Sequence, residues 1–282
     1  MKVHVIDGTY ELFRAFYSPA GGSIVRGKEV GAAKGMLRGF GALLRSGAVT
    51  HGGVAYDHVI ESFRNDLFAG YKTGAGIEPT LLAQFELVER VAAALGLRVW
   101  SMVEYEADDA LATAAVQLAK HPAVEQVIVA TPDKDLCQVV TGSRIITWDR
   151  MRDRFFDEPG VHTRMGVGPA SIPDLLALVG DDADGIPGLP RWGARSAATV
   201  LAHYQHLENI PRQGPWEIAV RGQAALQQSL AEGWNDVLLY RKLATLVTDA
   251  PIPCTIDDVA WHGPDREALA ALCDELEADP PL

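Results

Sequence analysis

The sequence predicts an α/β fold, a parallel twisted sheet flanked by helices, followed by a helical C-terminal region. Three observations predict it. Short apolar runs near residues 2–6, 53–56 and 124–130 are separated by helical patterns, the order expected of parallel strands joined by crossovers. The run at 124–130 is as apolar as a strand buried on both faces. After about residue 160 the strand signal stops and helical periodicity continues.

Taken in order, residues 2–6 form the first strand, Asp7, Gly8 and Thr9 a turn, and residues 10–17 a helix carrying Arg14. Residues 18–31 read as a loop with Arg26 and Lys28. A helix over 32–44 follows, with Met36, Leu37, Phe40, Leu43 and Leu44 at helical spacing. Lys34 and Arg38 are four apart on it and share a face, for phosphate or for solvent. The second strand, 53–56, ends at Asp57. Residues 61–76 mix basic and aromatic side chains (Phe63, Arg64, Tyr71, Lys72) with glycines and read as a lid or partly mobile helix. Pro79 suits a first helical turn, and 81–95 is an amphipathic helix stopped by Gly96. Strands follow at 97–100, 124–130, 143–148 and 154–156, with an apolar helix over 110–118 between the first two. Helices are expected at 169–179, 194–204, 216–230 and 234–247, the first two joined by a Gly/Pro/Asp-rich turn. The division is an α/β core over 1–160 and a helical region over 161–282.

Composition is globular, 48% apolar and 22% charged. No apolar run reaches membrane-spanning length and no signal-peptide pattern opens the chain, so the expectation is a cytoplasmic protein without a membrane partner. Three scattered cysteines make neither a zinc spacing nor a disulfide framework. The net charge of −12 argues against binding nucleic acid through a general basic coat. That objection weakens if many acids hold cations.

The acids are placed as such a site would need. Glu106, Asp108 and Asp109 fall within four residues at a helix start. Helix-dipole capping accounts for one or two of them, not three. Asp7, Asp57 and the pair Asp133 and Asp135 follow strands, and Asp181 and Asp184 follow an apolar run. Ligands in open α/β sheets bind at the carboxyl ends of strands. Carboxylates gathered there repel one another unless hard divalent cations, which take oxygen ligands, lie among them.

These residues resemble the structure-specific 5′-nuclease family: flap endonucleases and 5′–3′ exonucleases, including the N-terminal nuclease domain of bacterial DNA polymerase I. The resemblance covers roughly residues 1–250. It rests on Ile6-Asp7-Gly8, Tyr71-Lys72, Tyr105-Glu106-Ala107-Asp108-Asp109, Thr131-Pro132-Asp133-Lys134-Asp135-Leu136, and Gly180-Asp181 through Pro187-Gly188, in family order. It implies a PIN-like nuclease core, a helical arch near 61–78, and a helix-hairpin-helix-like DNA-binding turn near 180–197. With no polymerase region following, it implies a free-standing member.

The resemblance further implies two or more Mg²⁺ or Mn²⁺ ions: one held mainly by Asp7, Asp57, Glu106 and Asp108, a second by Asp133, Asp135 and Asp184. Asp108 then lies near both, and Asp109 and Asp181 support through water. Two cations about 3.5–4 Å apart would activate water and stabilise the leaving oxygen. Lys72, Arg64 and Arg14 are implied to grip the scissile phosphate, and Tyr71 to stack on a base. Lys34, Arg38, Arg191, Gly193 and Arg195 complete the expected DNA contacts. The expected partner is DNA with a 5′ flap, overhang or nick, bound by a monomer, with RNA/DNA hybrid left open.

Two departures stand out. Thr73-Gly74-Ala75-Gly76 lacks a further basic residue after Tyr71-Lys72. Within Leu189-Pro190-Arg191-Trp192-Gly193, Pro190 has no N–H to offer and Trp192 is bulky, which leaves a K⁺ site in the hairpin open. Three other classes fit the residues less well. A haloacid-dehalogenase-type phosphatase needs an acid two residues after its nucleophile, where Thr9 stands here. A DNA-structure-binding protein that has lost catalysis leaves nine acids without a purpose, and unneeded buried carboxylates are costly. A ribonuclease of the small-nuclease type would lack the long helical region.

Overall fold

The computed structural model describes residues 1–18 and 22–282; part of the predicted loop over 18–31 falls on residues 19–21, outside the described residues. Strand β1 (Lys2–Asp7) buries Val3, Val5 and Ile6 completely, each such side chain contributing about 1.5–3 kcal/mol. Its last residue, Asp7, caps helix α1 (Gly8–Phe16), so the helix begins at Gly8 where the sequence suggested a turn. Within 18–31 the chain forms a small antiparallel hairpin, β2 (Ile24–Val25) and β3 (Lys28–Glu29). Arg26 and Gly27 turn it with positive φ of 51° and 80°, the conformation a two-residue hairpin needs. Then come α2 (Gly31–Arg45) and β4 (Gly52–Asp57).

Of the arch predicted near 61–78, one short helix forms, α3 (Phe63–Leu67). The predicted helix over 81–95 is two, α4 (Pro79–Leu82) and α5 (Phe85–Ala94). Fully buried Gln84 sits at the break; its side chain accepts from Ala33 N and donates to Thr80 O. Next are β5 (Arg98–Met102), α6 (Ala107–Leu118), β6 (Gln126–Ala130), β7 (Ile145–Asp149), β8 (Arg154–Phe156) and α7 (Glu158–Met165). Helices α8 (Ile172–Val179) and α9 (Ala194–Tyr204) flank the expected turn. The predicted helix over 216–230 is helical only as α10 (Gln223–Glu232), because Trp216 is buried in irregular chain and donates its indole N–H to Pro211 O. The chain closes with α11 (Trp234–Ala244), α12 (Ile256–Val259) and α13 (Arg266–Leu276).

By internal packing the chain divides into two units. One comprises residues 1–62, 74–131 and 247–282; the other comprises 63–73 and 132–246. This follows compactness, whereas the division at residue 160 follows the change in local pattern. In the first unit β1 pairs in parallel with β4 and β6, and β4 with β5, giving the order β5-β4-β1-β6. Helix α6 packs across all four strands, while α1, α2 and α5 pack on one another and touch β4 and β5. The C-terminal segment returns to this unit. Trp261 donates to Leu95 O, Asp265 N to Ala94 O, and α13 lies on α5. In the second unit β7 and β8 pair antiparallel. Helices α8, α9 and α11 surround a core that includes Leu176, Leu178, Val200, Leu201, Val237 and Trp192.

Candidate metal centre and nucleic-acid interface

The register places the first unit's acids along one edge of its sheet. Asp7 and Asp57 are the last residues of neighbouring parallel strands, and parallel strands present their carboxyl ends together. Gly8 permits this: a Cβ there would sit 2.7 Å from Ala55 O and inside the Tyr56 ring. Asp7 is buried; Oδ1 accepts from Tyr10 N at 2.8 Å and Oδ2 from Thr131 Oγ1 at 2.8 Å. Asp57 Oδ1 accepts from Ala107 N at 2.7 Å, the open N-terminus of α6, and its own N–H is held by Thr9 Oγ1.

Glu106 is the N-cap of α6, buried, with Oε1 accepting from Ser62 Oγ at 2.8 Å. Asp108 stands half-buried in the first turn of that helix. Asp109 is fully buried, taking Glu106 N on Oδ2 and Val247 N on Oδ1. Those bonds make it a structural tie between α6 and the returning C-terminal segment. Arg14 bonds Glu11 on its own helix. Lys34 Nζ donates to Ser23 Oγ, and Lys34 and Arg38 line a hollow together with the exposed carboxylates Asp274, Glu277 and Asp279.

The second unit holds the other acids. Asp133 is exposed and accepts Asp135 N at 2.8 Å, forming the turn that presents both. Asp135 is buried, and its Oδ1 has no hydrogen-bond partner among the described residues. Burial, with the Asp133, Asp184 and Asp181 charges around it, pushes the Asp135 carboxyl up to about 8. Asp181 pairs with Lys134 at 2.7 Å; Asp184 pairs with Lys72 at 3.0 Å and accepts from Tyr71 OH at 3.3 Å. Gly185 has φ +73°, and a Cβ on it would run into Gly70 O. The Tyr71-Lys72 pair can therefore lie against the Asp184 turn, with Lys72 N on Asp184 O at 3.0 Å.

Two expectations change. The Tyr71 ring is buried in the second unit's core, so it packs there instead of offering a face to a base. Arg64 is also buried; Nε donates to Leu243 O at 2.8 Å and Nη2 to Thr245 O at 3.1 Å, at the carbonyl end of α11. That guanidinium positions a helix end. In the hairpin between α8 and α9, Arg191 is exposed with φ 72°, and Arg195 is exposed in the first turn of α9. Gly193 is the N-cap, with open space where a Cβ would be. Trp192 is buried beside Trp216, its indole N–H without a partner among the described residues.

Sequence reading assigned no role to Lys134, Thr131 or Ser62, although the first two lie inside quoted motifs. Among the described residues no group of three or more His, Cys, Asp and Glu is arranged so that it could hold a metal ion as it stands. What the second unit has is an acid cluster with one buried, unbonded carboxylate oxygen and two ammonium counter-charges. Oxygen donors that repel one another are the donor set hard divalent cations take. In donor chemistry the carboxylates around Asp135 suit such an ion.

Comparison with known proteins identifies the family. The 5′-3′ exonuclease N-terminal resolvase-like domain matches residues 2–166, and the 5′-3′ exonuclease C-terminal SAM fold matches residues 167–267. The chain belongs to the 5′-3′ exonuclease family. DNA polymerase I of Pseudomonas aeruginosa is 35% identical over 282 residues, covering 97% of this chain and 30% of the polymerase. The chain thus spans about a third of the length of the polymerases it matches. A 5′-3′ exonuclease of Aquifex aeolicus is 29% identical over 276 residues, covering 98% of this chain and 92% of that protein. Among solved structures, the bacteriophage T5 flap endonuclease in a pseudo-enzyme–product complex with DNA and metal ions shares the fold. Its TM-score is 0.68 at 18% identity, covering 98% of this chain and 95% of that one.

Proposed function

We propose that this protein is a divalent-metal-dependent 5′-nuclease that hydrolyses phosphodiester bonds at 5′ ends and 5′ flaps of DNA, in replication or repair. The observation that carries the reading is Asp135, a buried carboxylate with an unbonded oxygen among Asp133, Asp181 and Asp184. Mg²⁺ or Mn²⁺ held by Asp133, Asp135 and Asp184, and by Asp7, Asp57, Glu106 and Asp108, would lower the pKa of a bound water and neutralise charge on the phosphodiester. The chain's own residues do the rest. Lys72, tied to Asp184 at 3.0 Å, supplies an ammonium that can turn to a phosphate oxygen. Arg64 holds the end of α11, and Asp109 ties α6 to the segment at 247. Exposed Arg191 and Arg195 serve as phosphate contacts on the helix-hairpin-helix turn. The protein acts as a monomer, and the hairpin departures at Pro190 and Trp192 speak against a tight K⁺ site there.

The test is a 5′-labelled flap duplex incubated with Mg²⁺, with Mn²⁺ and with chelator, and the products sized. Short, metal-dependent products ending near the junction are expected. Binding without cleavage in either metal would overturn the reading in favour of a DNA-structure-binding protein.

A further inference from the structure

The hairpin β7–β8 carries a feature that the carboxylate chemistry does not use. Four arginines, 144, 150, 152 and 154, fall within residues 144–154 against two acids, Asp149 and Asp153, in a chain of net charge −12. Trp148 and Phe155 are directly opposed across the hairpin. Their rings stack with centroids 5.2 Å apart and planes 5° from parallel. Trp148 donates its indole N–H to Asp153 Oδ1 at 3.1 Å, which fixes one ring against the loop. Arg150 lies 5.7 Å from the Trp148 centroid, and Asp149 holds Arg152 at 2.9 Å. Phe155 remains 51% exposed, with exposed Arg154 beside it. Phe155 lines a hollow with Arg152, Arg154, Phe156 and Arg164, and with Asp149, which holds Arg152 there.

A cross-strand aromatic pair does stabilise a hairpin. That role explains the pairing, but neither the half-exposed ring nor the arginines around it. A flat ring stack edged by guanidinium groups has the two elements of single-strand recognition: a face for a base and cations for phosphates. Duplex offers its phosphates to the arginines, but its bases are already stacked; only an unpaired base can extend the Trp148–Phe155 stack.

We propose that the β7–β8 hairpin is a second nucleic-acid contact, a platform that stacks an unpaired base of a DNA single strand on Phe155 while Arg152 and Arg154 meet its phosphates. It rests on the nuclease reading only in taking DNA as the ligand.

The test is fluorescence anisotropy in chelator, with a labelled oligothymidylate single strand and a blunt duplex of equal length. Phe155→Ala should weaken single-strand binding about tenfold, the loss of one stacked base, and leave duplex binding within about twofold. Phe155→Tyr keeps the ring and should restore single-strand affinity, which separates stacking from a damaged hairpin. Arg154→Ser should weaken both ligands and flatten the dependence on salt. Absent single-strand binding by the wild type, unchanged binding by Phe155→Ala, or equal loss on both ligands would overturn the platform. Flap cleavage in Mg²⁺ is followed in parallel. Cleavage by the wild type with no effect of Phe155→Ala sinks the platform alone; Phe155-dependent binding without cleavage sinks the nuclease reading alone.

Discussion

At the scale of single residues, Asp135 makes the sharpest prediction. Its folded carboxyl titrates near 8 against an ordinary value of 3.8. The folded state therefore holds a proton that the unfolded chain releases from about pH 4 upward. Stability of the cation-free protein should fall as pH rises from about 4 to about 8. Thermal melts in chelator across that range should show the slope, and Asp135→Asn should flatten it while abolishing cleavage. An unchanged slope in the variant would remove Asp135 as its source. Arg64 predicts the opposite kind of effect. Arg64→Met leaves the carbonyls of Leu243 and Thr245 without their buried donors and should cost about 2–4 kcal/mol by denaturant unfolding. A loss of cleavage with wild-type stability would instead make Arg64 a phosphate contact. The acids were legible in the sequence because strand-end position and carboxylate chemistry are both local signals. That Arg64 and Tyr71 are buried was not legible, since nothing local distinguishes a basic-aromatic segment packed inward from one presented to a ligand.

At the scale of elements, the close approach of Gly185 to Gly70 holds the Asp184 turn against Tyr71-Lys72. Gly185→Ala combines a positive φ with a collision against a backbone oxygen, so it should destabilise by about 2 kcal/mol or more. It should also lower cleavage by pushing Lys72 away from Asp184, whereas Gly193→Ala, with open space at its Cβ, should leave stability within about 1 kcal/mol. Equal melting temperatures for the two variants would contradict this. The sheet strands and α9 could be read from apolar runs and periodicity alone. Other elements were missed for physical reasons. The 81–95 pattern breaks at Gln84 because its buried side chain takes up Ala33 N–H and Thr80 O. Helix α13 had a readable signal, Asp265 accepting from Ala268 N ahead of Leu269, Leu272 and Leu276.

At the scale of the whole molecule, the charge of −12 and the acid cluster act together. A divalent cation that binds only the folded protein stabilises it by mass action, about 2.7 kcal/mol at a hundredfold excess over Kd. Saturating Mg²⁺ or Mn²⁺ should raise the melting temperature by about 5 °C or more at pH 8. The rise should be much smaller at pH 5, where protons compete for Asp135. Calorimetry with and without metal at both pH values checks this, and equal melting curves at pH 8 would remove the cation site.

The first unit's interrupted path, 1–62, 74–131 and 247–282, also has a temporal meaning. A chain emerging from a ribosome N-terminus first has made all of residues 132–246 before the segment that binds Asp109 and covers α5 exists. The second unit can gain its native contacts on the nascent chain while the first unit still lacks the segment that binds Asp109 and covers α5. Synthesis therefore completes the second unit's chain first, and Asp109 gains its Val247 partner only afterwards.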